Sequence, residues 1–206
     1  MIKDIYNYER ELTSKGYINI AGTDEAGRGP MAGPLVVASC ILPSMYTLDG
    51  LDDSKKISPK MRDKLFDIIK KDAIEYHIEV ISVEDVDRLN VYAASKLGME
   101  RCIKAYQTRI DYVLSDAMPL DIDIPYLSII KGDAKSASIA ASSILAKVTR
   151  DRIMVELDKK YPEYNFKKHK GYVTKEHLEA IKKYGICEAH RKSFSPVAEI
   201  INKKEK

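Results

Sequence analysis

Disulfide chemistry is the first thing this sequence has little of. Its three cysteines, Cys40, Cys102 and Cys187, are odd in number and far apart. No disulfide framework fits them, and a reducing, cytoplasmic setting is the simplest home. The opening residues, MIKDIYNYER, carry no apolar h-region and do not read as a signal peptide. The longest apolar run, around Leu35 to Leu42, is far too short to span a bilayer. A membrane role is therefore not expected. There are no internal repeats and no low-complexity stretch. The remaining composition, 45% hydrophobic and 32% charged, is ordinary for a soluble globular protein. With 206 residues the chain can bury a core without staples, and it suits one large domain or a domain with a small appendage.

Net charge is also small, at +3, but it is unevenly spread. Lys159 to Lys206 holds 13 Lys/Arg against 6 Asp/Glu, while the rest holds 21 against 25. A basic C-terminal quarter on an acidic body is either a footprint for a polyanion or a solvated lysine face. Tyr161, Tyr164, Phe166 and Tyr172 are interleaved there with Lys167, Lys168, Lys170 and Lys175. Such mixing suits nucleic acid, with charge for phosphates and rings for sugar or base faces. Tyr161 and Phe166 read better as packing residues; Tyr172, next to a glycine in HKGY, is the candidate contact.

The pattern alternates strands and helices. Strands are expected at residues 17–23, 35–42, 75–82, 112–114 and 126–130. Helices are expected at about 59–71, 83–89, 91–107, 136–159 and 174–184. Ser58-Pro59 opens the first, with Ser as cap and Pro at its first position. Ala137, Ala141, Ile144, Val148 and Val155 form one face of the long helix. Thr174 opens the last, with Glu176 in its first turn. The first strands look hairpin-linked, so a mixed sheet with helices on its faces is expected. A boundary near Tyr161-Pro162 divides a core, 1–160, from a basic helical segment, 161–206, packed on it.

The chemistry centres on Gly22 to Pro34, GTDEAGRGPMAGP. Its first glycines have the spacing of a Walker A loop. Arg28 and Gly29, however, stand where Lys and Ser/Thr are needed, and two carboxylates inside a cradle would repel phosphate. No G-x-G-x-x-G fingerprint occurs. The acids make sense if a cation lies between them and the phosphate, since carboxylates are the preferred ligands of Mg²⁺ and Mn²⁺. Adjacent strand residues point to opposite faces, so Asp24 and Glu25 share a site only if the strand ends or twists there. A bare Asp-Glu pair would otherwise be an exposed turn. Further acids stand at strand ends: Asp116, with Asp111, Asp121 and Asp123 as rivals, and Asp133, which could also simply cap a helix. His169, His177, Cys187 and His190 fit no standard zinc spacing.

Five blocks are specific together: DEAGRGPMAGP, DDSKKIS, KGDAKSASIAASSILAKVTRDRIM, YNFKKHKGYVTKEHLEAIKKYG and HRKSF. From about Ile18 to Phe194 the chain resembles ribonuclease HII, the type 2 ribonuclease H. The resemblance implies an α/β fold with a ribonuclease H-like mixed five-stranded sheet flanked by helices, and a C-terminal helical part. It implies a four-carboxylate site of Asp24, Glu25, Asp116 and Asp133, holding two Mn²⁺ or Mg²⁺ ions. Asp116 is chosen by its spacing from Asp133, although Ala117 replaces the glycine usual after it. Gly27, Arg28 and Gly29 are implied readers of the ribose 2′-hydroxyl and adjoining phosphate, and Tyr172 stacks on the next, deoxy sugar. Lys55, Lys56, Lys147 and Arg150 are implied phosphate contacts, while Lys131 reads as structural.

The implied reaction is hydrolysis of RNA in RNA/DNA hybrids, and cutting on the 5′ side of single ribonucleotides embedded in duplex DNA. The ends are a 5′-phosphate and a 3′-hydroxyl. A monomer is expected. The resemblance leaves a sliding-clamp contact through the tail open, but the tail PVAEIINKKEK has no clear clamp-binding motif. Two rivals stand beside this reading. A DNA nuclease on the same core is disfavoured by Gly27-Arg28-Gly29 with Tyr172, and a non-catalytic hybrid binder by the four acids.

Overall fold

A computed structural model describes residues 4–204 apart from 53, 55 and 56. The sheet is built outward from β1 (Ile20–Ala26). β1 pairs antiparallel with β2 (Leu35–Ile41), Asp24 opposite Ala38 and Glu25 opposite Val37. β2 pairs antiparallel with β3 (Glu75–Ile81). On its other side β1 runs parallel to β4 (Tyr112–Asp116), which runs parallel to β5 (Tyr126–Ile129). The order β3-β2-β1-β4-β5 is the expected mixed five-stranded sheet.

Every residue of β2 is buried, as a near-continuous apolar strand requires when both faces are covered. One face meets α2 (Pro59–Asp72) and α5 (Ala137–Lys160), where Val36, Ala38 and Cys40 cluster with Leu65, Ile69, Ala141 and Ile144. The other meets α4 (Val91–Ala105), which follows the short α3 (Val83–Leu89); Leu35, Val37 and Ile41 cluster there with Met99 and Cys102. Side-chain caps open the helices as their sequences suggest. Ser58 Oγ accepts the Met61 N–H at 3.3 Å, and Thr174 Oγ1 accepts the His177 N–H at 3.2 Å. Each such cap stabilises its helix by about 1 kcal/mol.

α5 lies unusually close to β1. A Cβ added to Gly22 would sit 2.1 Å from the Ser138 carbonyl carbon, so only glycine permits the approach. The start of α5, and the turn before it, are thereby pressed toward the end of β1.

The C-terminal part comprises a 3₁₀ turn (Pro162–Tyr164), α6 (Phe166–His169), α7 (Lys175–Tyr184) and α8 (Ser195–Lys204). Tyr164, Phe166, Ile181 and Val197 enclose Met31 and Ala32 of the glycine-rich loop and Met154 of α5. That contact explains a departure from expectation on α5: Val155 is exposed, whereas Arg150, Met154 and Asp158 are buried. Beyond its first half the helix packs on the C-terminal part instead of the sheet. Three helices were not expected. Among them, α1 (Asn7–Ser14) has only Leu12 fully in the core, against Ile20, Leu114 and Ile139.

Candidate active site

β1 does not end at its acid pair. Asp24 and Glu25 are both ladder residues, and the Asp24 carboxylate accepts the Glu25 N–H at 2.7 Å. The pairing of β1 with β4 stops at Thr23 opposite Ser115. Asp24 and Asp116 therefore follow the last paired positions of two adjacent parallel strands, on the same side of the sheet. Asp133 lies in a 3₁₀ turn, Gly132–Ala134, between β5 and α5. That turn is fastened to Asp116, whose Oδ1 accepts the Gly132 N–H at 2.6 Å. Lys131 makes the bend before it in a left-handed conformation, with φ 57°.

Asp24 and Asp133 are each 4% exposed. Burial holds the Asp24 carboxyl well above the usual carboxylate range, and the charges of Glu25 and Asp116 push the same way. Hydrogen bonds from Ser143 and the Glu25 N–H work against that rise. The rival acids are engaged elsewhere. Asp111 accepts the Ile18 and Asn19 N–H groups at 3.0 Å each, Asp121 pairs with Lys96 at 2.7 Å, and Asp123 is exposed.

The glycine-rich loop leaves β1 beside these acids. Gly27 takes φ +104°, and a Cβ there would strike the Arg150 side chain at 2.2 Å. Arg28 is exposed and reaches back to Glu25, Nη1 to Oε1 at 3.4 Å. A Cβ on Gly29 would lie 3.6 Å from the ring of Tyr172, which is 48% exposed. Thus Gly27, Arg28, Gly29 and Tyr172 form one surface, although they come from opposite ends of the chain.

The expected phosphate contacts divide differently. Lys147 is partly buried and paired with Asp151 at 2.7 Å. Lys55 and Lys56 lie outside the described residues. Arg150 corrects the sequence reading. It is 1% exposed, and its guanidinium donates to the carbonyls of Pro34, Ala32 and Lys170 at 3.0 Å each. An enclosed group with its donors so engaged is not placed to meet a phosphate.

The ribonuclease HII family model matches residues 21–197. The chain belongs to the ribonuclease HII family. The ribonuclease HII of Bacillus mycoides (strain KBAB4) is 50% identical over 97% of this chain and 78% of its own. The ribonuclease H2 of Pyrococcus horikoshii OT3 superposes with a TM-score of 0.80 at 25% identity, covering 92% of this chain and all of the other. The RNase HII of Archaeoglobus fulgidus, solved in complex with PCNA, matches with a TM-score of 0.68 at 26% identity, over 84% of this chain and 94% of that one. Family membership makes this chain a metal-dependent endoribonuclease that acts on RNA/DNA hybrids. No helix among the described residues is long and apolar enough to cross a membrane.

A divalent cation suits the donor set. All four candidate ligands are carboxylates, and the charged form of Asp24 is penalised by burial and by two like charges that a cation would offset. Among the described residues no three His, Cys, Asp or Glu side chains already form a group able to hold an ion. The acids are neighbours, not a finished shell. The histidines are engaged with one another and with the backbone. His190 Nδ1 accepts the Cys187 N–H at 3.0 Å, so its proton stands on Nε2 and is donated to His177 Nε2 at 3.1 Å. His177 in turn donates from Nδ1 to the Tyr172 carbonyl at 2.9 Å.

Two residues of this region escaped sequence reasoning. Ser143 of α5 hydrogen-bonds Asp24, and Ser54 bonds Ser143 Oγ to Oγ at 2.9 Å. Both are buried. The signal available was a serine pair, Ser142-Ser143, inside an otherwise apolar helical stretch.

Proposed function

We propose that this member of the ribonuclease HII family also cuts duplex DNA carrying a single embedded ribonucleotide, on its 5′ side, leaving a 5′-phosphate and a 3′-hydroxyl. The observation that supports this most is the apposition of Gly29 and the half-exposed Tyr172 ring. The 2′-hydroxyl is the mark that separates RNA from DNA at a site. In this reading the Gly27-Arg28-Gly29 segment takes the ribose hydroxyl and adjoining phosphate, and Tyr172 stacks on the next deoxy sugar. A single RNA-to-DNA step would satisfy both.

Asp24, Glu25, Asp116 and Asp133 would hold two divalent ions, Mg²⁺ or Mn²⁺, an all-oxygen set suited to either. Such ions, when bound, supply an activated water and stabilise the departing 3′-oxygen. The chain's own residues do the rest. Ser143 and the Glu25 N–H orient the Asp24 carboxylate, and the Gly132 N–H orients Asp116. Arg28, within 3.4 Å of Glu25, links the reading segment to the acids. Lys147, with Lys55 and Lys56, would meet phosphates along the duplex. The core, 1–160, and the basic segment, 161–206, would form one binding surface in a monomer.

The test is cleavage of a DNA duplex with one ribonucleotide, in Mg²⁺, in Mn²⁺ and with chelator, mapping the cut. Metal-dependent scission 5′ to the ribonucleotide is expected. Scission of long hybrids alone would remove the roles given to Arg28 and Tyr172.

A further inference from the structure

The HRKSF block has no part in the site so far, yet its arginine is the most enclosed cation of the region. Arg191 is 0% exposed. Its Nε donates to the Gly33 carbonyl at 2.9 Å, its Nη1 to the Arg28 carbonyl at 3.3 Å, and its backbone N–H to the Met31 carbonyl at 2.9 Å. Arg150 reaches the same loop from α5, through the carbonyls of Ala32 and Pro34, and also holds the carbonyl of Lys170. The Met31 N–H closes the circuit by donating to the Gly171 carbonyl at 3.0 Å. Two guanidiniums thus bind the carbonyls of residues 28, 32, 33 and 34 on one loop and 170 on the other.

These are costly choices for a mere brace. Among the described residues both guanidiniums are met by carbonyls and pair with no carboxylate, and Nη2 of Arg191 is buried with no hydrogen-bond partner. Burial draws Arg150 down to about 10 and Arg191 to about 9, the charge of Arg150 adding to the latter. Both remain cationic at neutral pH. Arginine is suited to the place because its planar fork can hold several carbonyls in fixed directions, which a lysine ammonium on a flexible stem cannot.

We propose that Arg191 and Arg150 are positioning residues for ribonucleotide recognition, Arg150 fastening the Gly27–Pro34 loop to the turn that carries Tyr172 and Arg191 fixing the carbonyls of that same loop, so that both reading parts are set before substrate arrives. The proposal rests on the function proposed above for those parts. Its physical basis is that a displacement of about 1 Å at a site can cost on the order of a hundredfold in rate. A loop held at four carbonyls by two buried forks, one of which also grips the neighbouring turn, resists such a displacement.

The experiment uses the full chain and two substrates, a DNA duplex with one ribonucleotide and a long RNA/DNA hybrid. kcat and KM are measured for wild type, Arg191→Lys, Arg28→Ala and the double variant, with thermal unfolding alongside. Arg191→Lys is expected to lose roughly tenfold or more in kcat/KM on the single-ribonucleotide duplex and much less on the hybrid. Arg28→Ala should add little to it, because the loop it acts from is already displaced. Equal losses on both substrates, or losses that simply multiply, would overturn the proposal. Should Arg191→Lys not fold, Arg150→Lys runs the same cycle; if neither folds, the pair is structural and the proposal falls. Wild type that leaves the single-ribonucleotide duplex uncut removes the underlying reading and the proposal with it. Wild type that cuts, while the variants lose both activities alike, removes the proposal alone.

Discussion

The two halves of the site are held in opposite ways. At the strand ends, acids are brought together by backbone register: β1 and β4 stop pairing one residue before Asp24 and Asp116, and the turn carrying Asp133 is clipped to Asp116. Burial, with the opposing charges of Glu25 and Asp116, raises the pKa of Asp24. Under the glycine-rich loop, Arg150, Arg191 and His177 instead donate to backbone carbonyls, and the arrangement is satisfied by the protein almost entirely on its own. One half gains from a cation; the other gains nothing from one. Chemistry and recognition should therefore respond separately to metal, mutation and pH.

The sharpest way to separate them is Asp24→Asn. Cleavage of every substrate should fall on the order of a thousandfold or more. Stability should move the other way. A carboxyl whose folded pKa is raised subtracts stability once pH exceeds its ordinary value of 3.8, and an amide removes that burden. In chelator the variant should melt above wild type; added Mg²⁺ or Mn²⁺ should raise wild type and leave the variant nearly unmoved. Near-normal turnover would sink the metal assignment. Asp116→Asn should match it in severity, whereas Asp121→Asn, an exposed partner of Lys96, should change little. The reverse pattern would mean that another acid completes the site.

Tyr172→Ala tests the other half, with a smaller effect. Ring stacking on a nucleotide is worth about 1–3 kcal/mol, or roughly ten- to a hundredfold. That loss should fall on the single-ribonucleotide duplex far more than on long hybrids, and metal-dependent stabilisation should be unchanged. Equal losses on both substrates would dissolve the distinction between the halves at this residue.

Much of this was legible because the relevant residues act locally. The buried apolar run of β2, the Ser58-Pro59 helix start and the acid pair in a glycine loop each state their physics within a few positions. Arg150 misled for the opposite reason. A basic residue in the AKVTRD block looks like a phosphate contact until the second half of α5 is seen to turn its Arg150–Met154–Asp158 side toward the C-terminal part. Met154, four residues on, was the available hint. Arg191 and Ser54 owe their places to partners far away in sequence, Gly33 and Ser143, and no local pattern encodes that.

The finest test of the comparison is pH. His177 and His190 are held down to about 4, chiefly by burial, which for His177 is offset in part by the hydrogen bond it donates to the Tyr172 carbonyl. Their ordinary value is 6.5, so between those two pH values the unfolded chain binds protons that the folded chain refuses. Stability from this pair is fully present above pH 6.5 and is lost as pH falls toward 4. Protonating His177 on Nε2 would also set two N–H groups facing each other across the 3.1 Å contact, and protonating His190 on Nδ1 would set one against the Cys187 N–H, so either breaks the chain of bonds leading to the Tyr172 carbonyl. Mild acid should therefore lower the melting temperature, and single-ribonucleotide cleavage should decline ahead of hybrid cleavage. His177→Gln should flatten that part of the stability profile. A profile that keeps its slope in the variant would assign it to other groups, and a parallel decline on both substrates would show that acid reaches the carboxylates first.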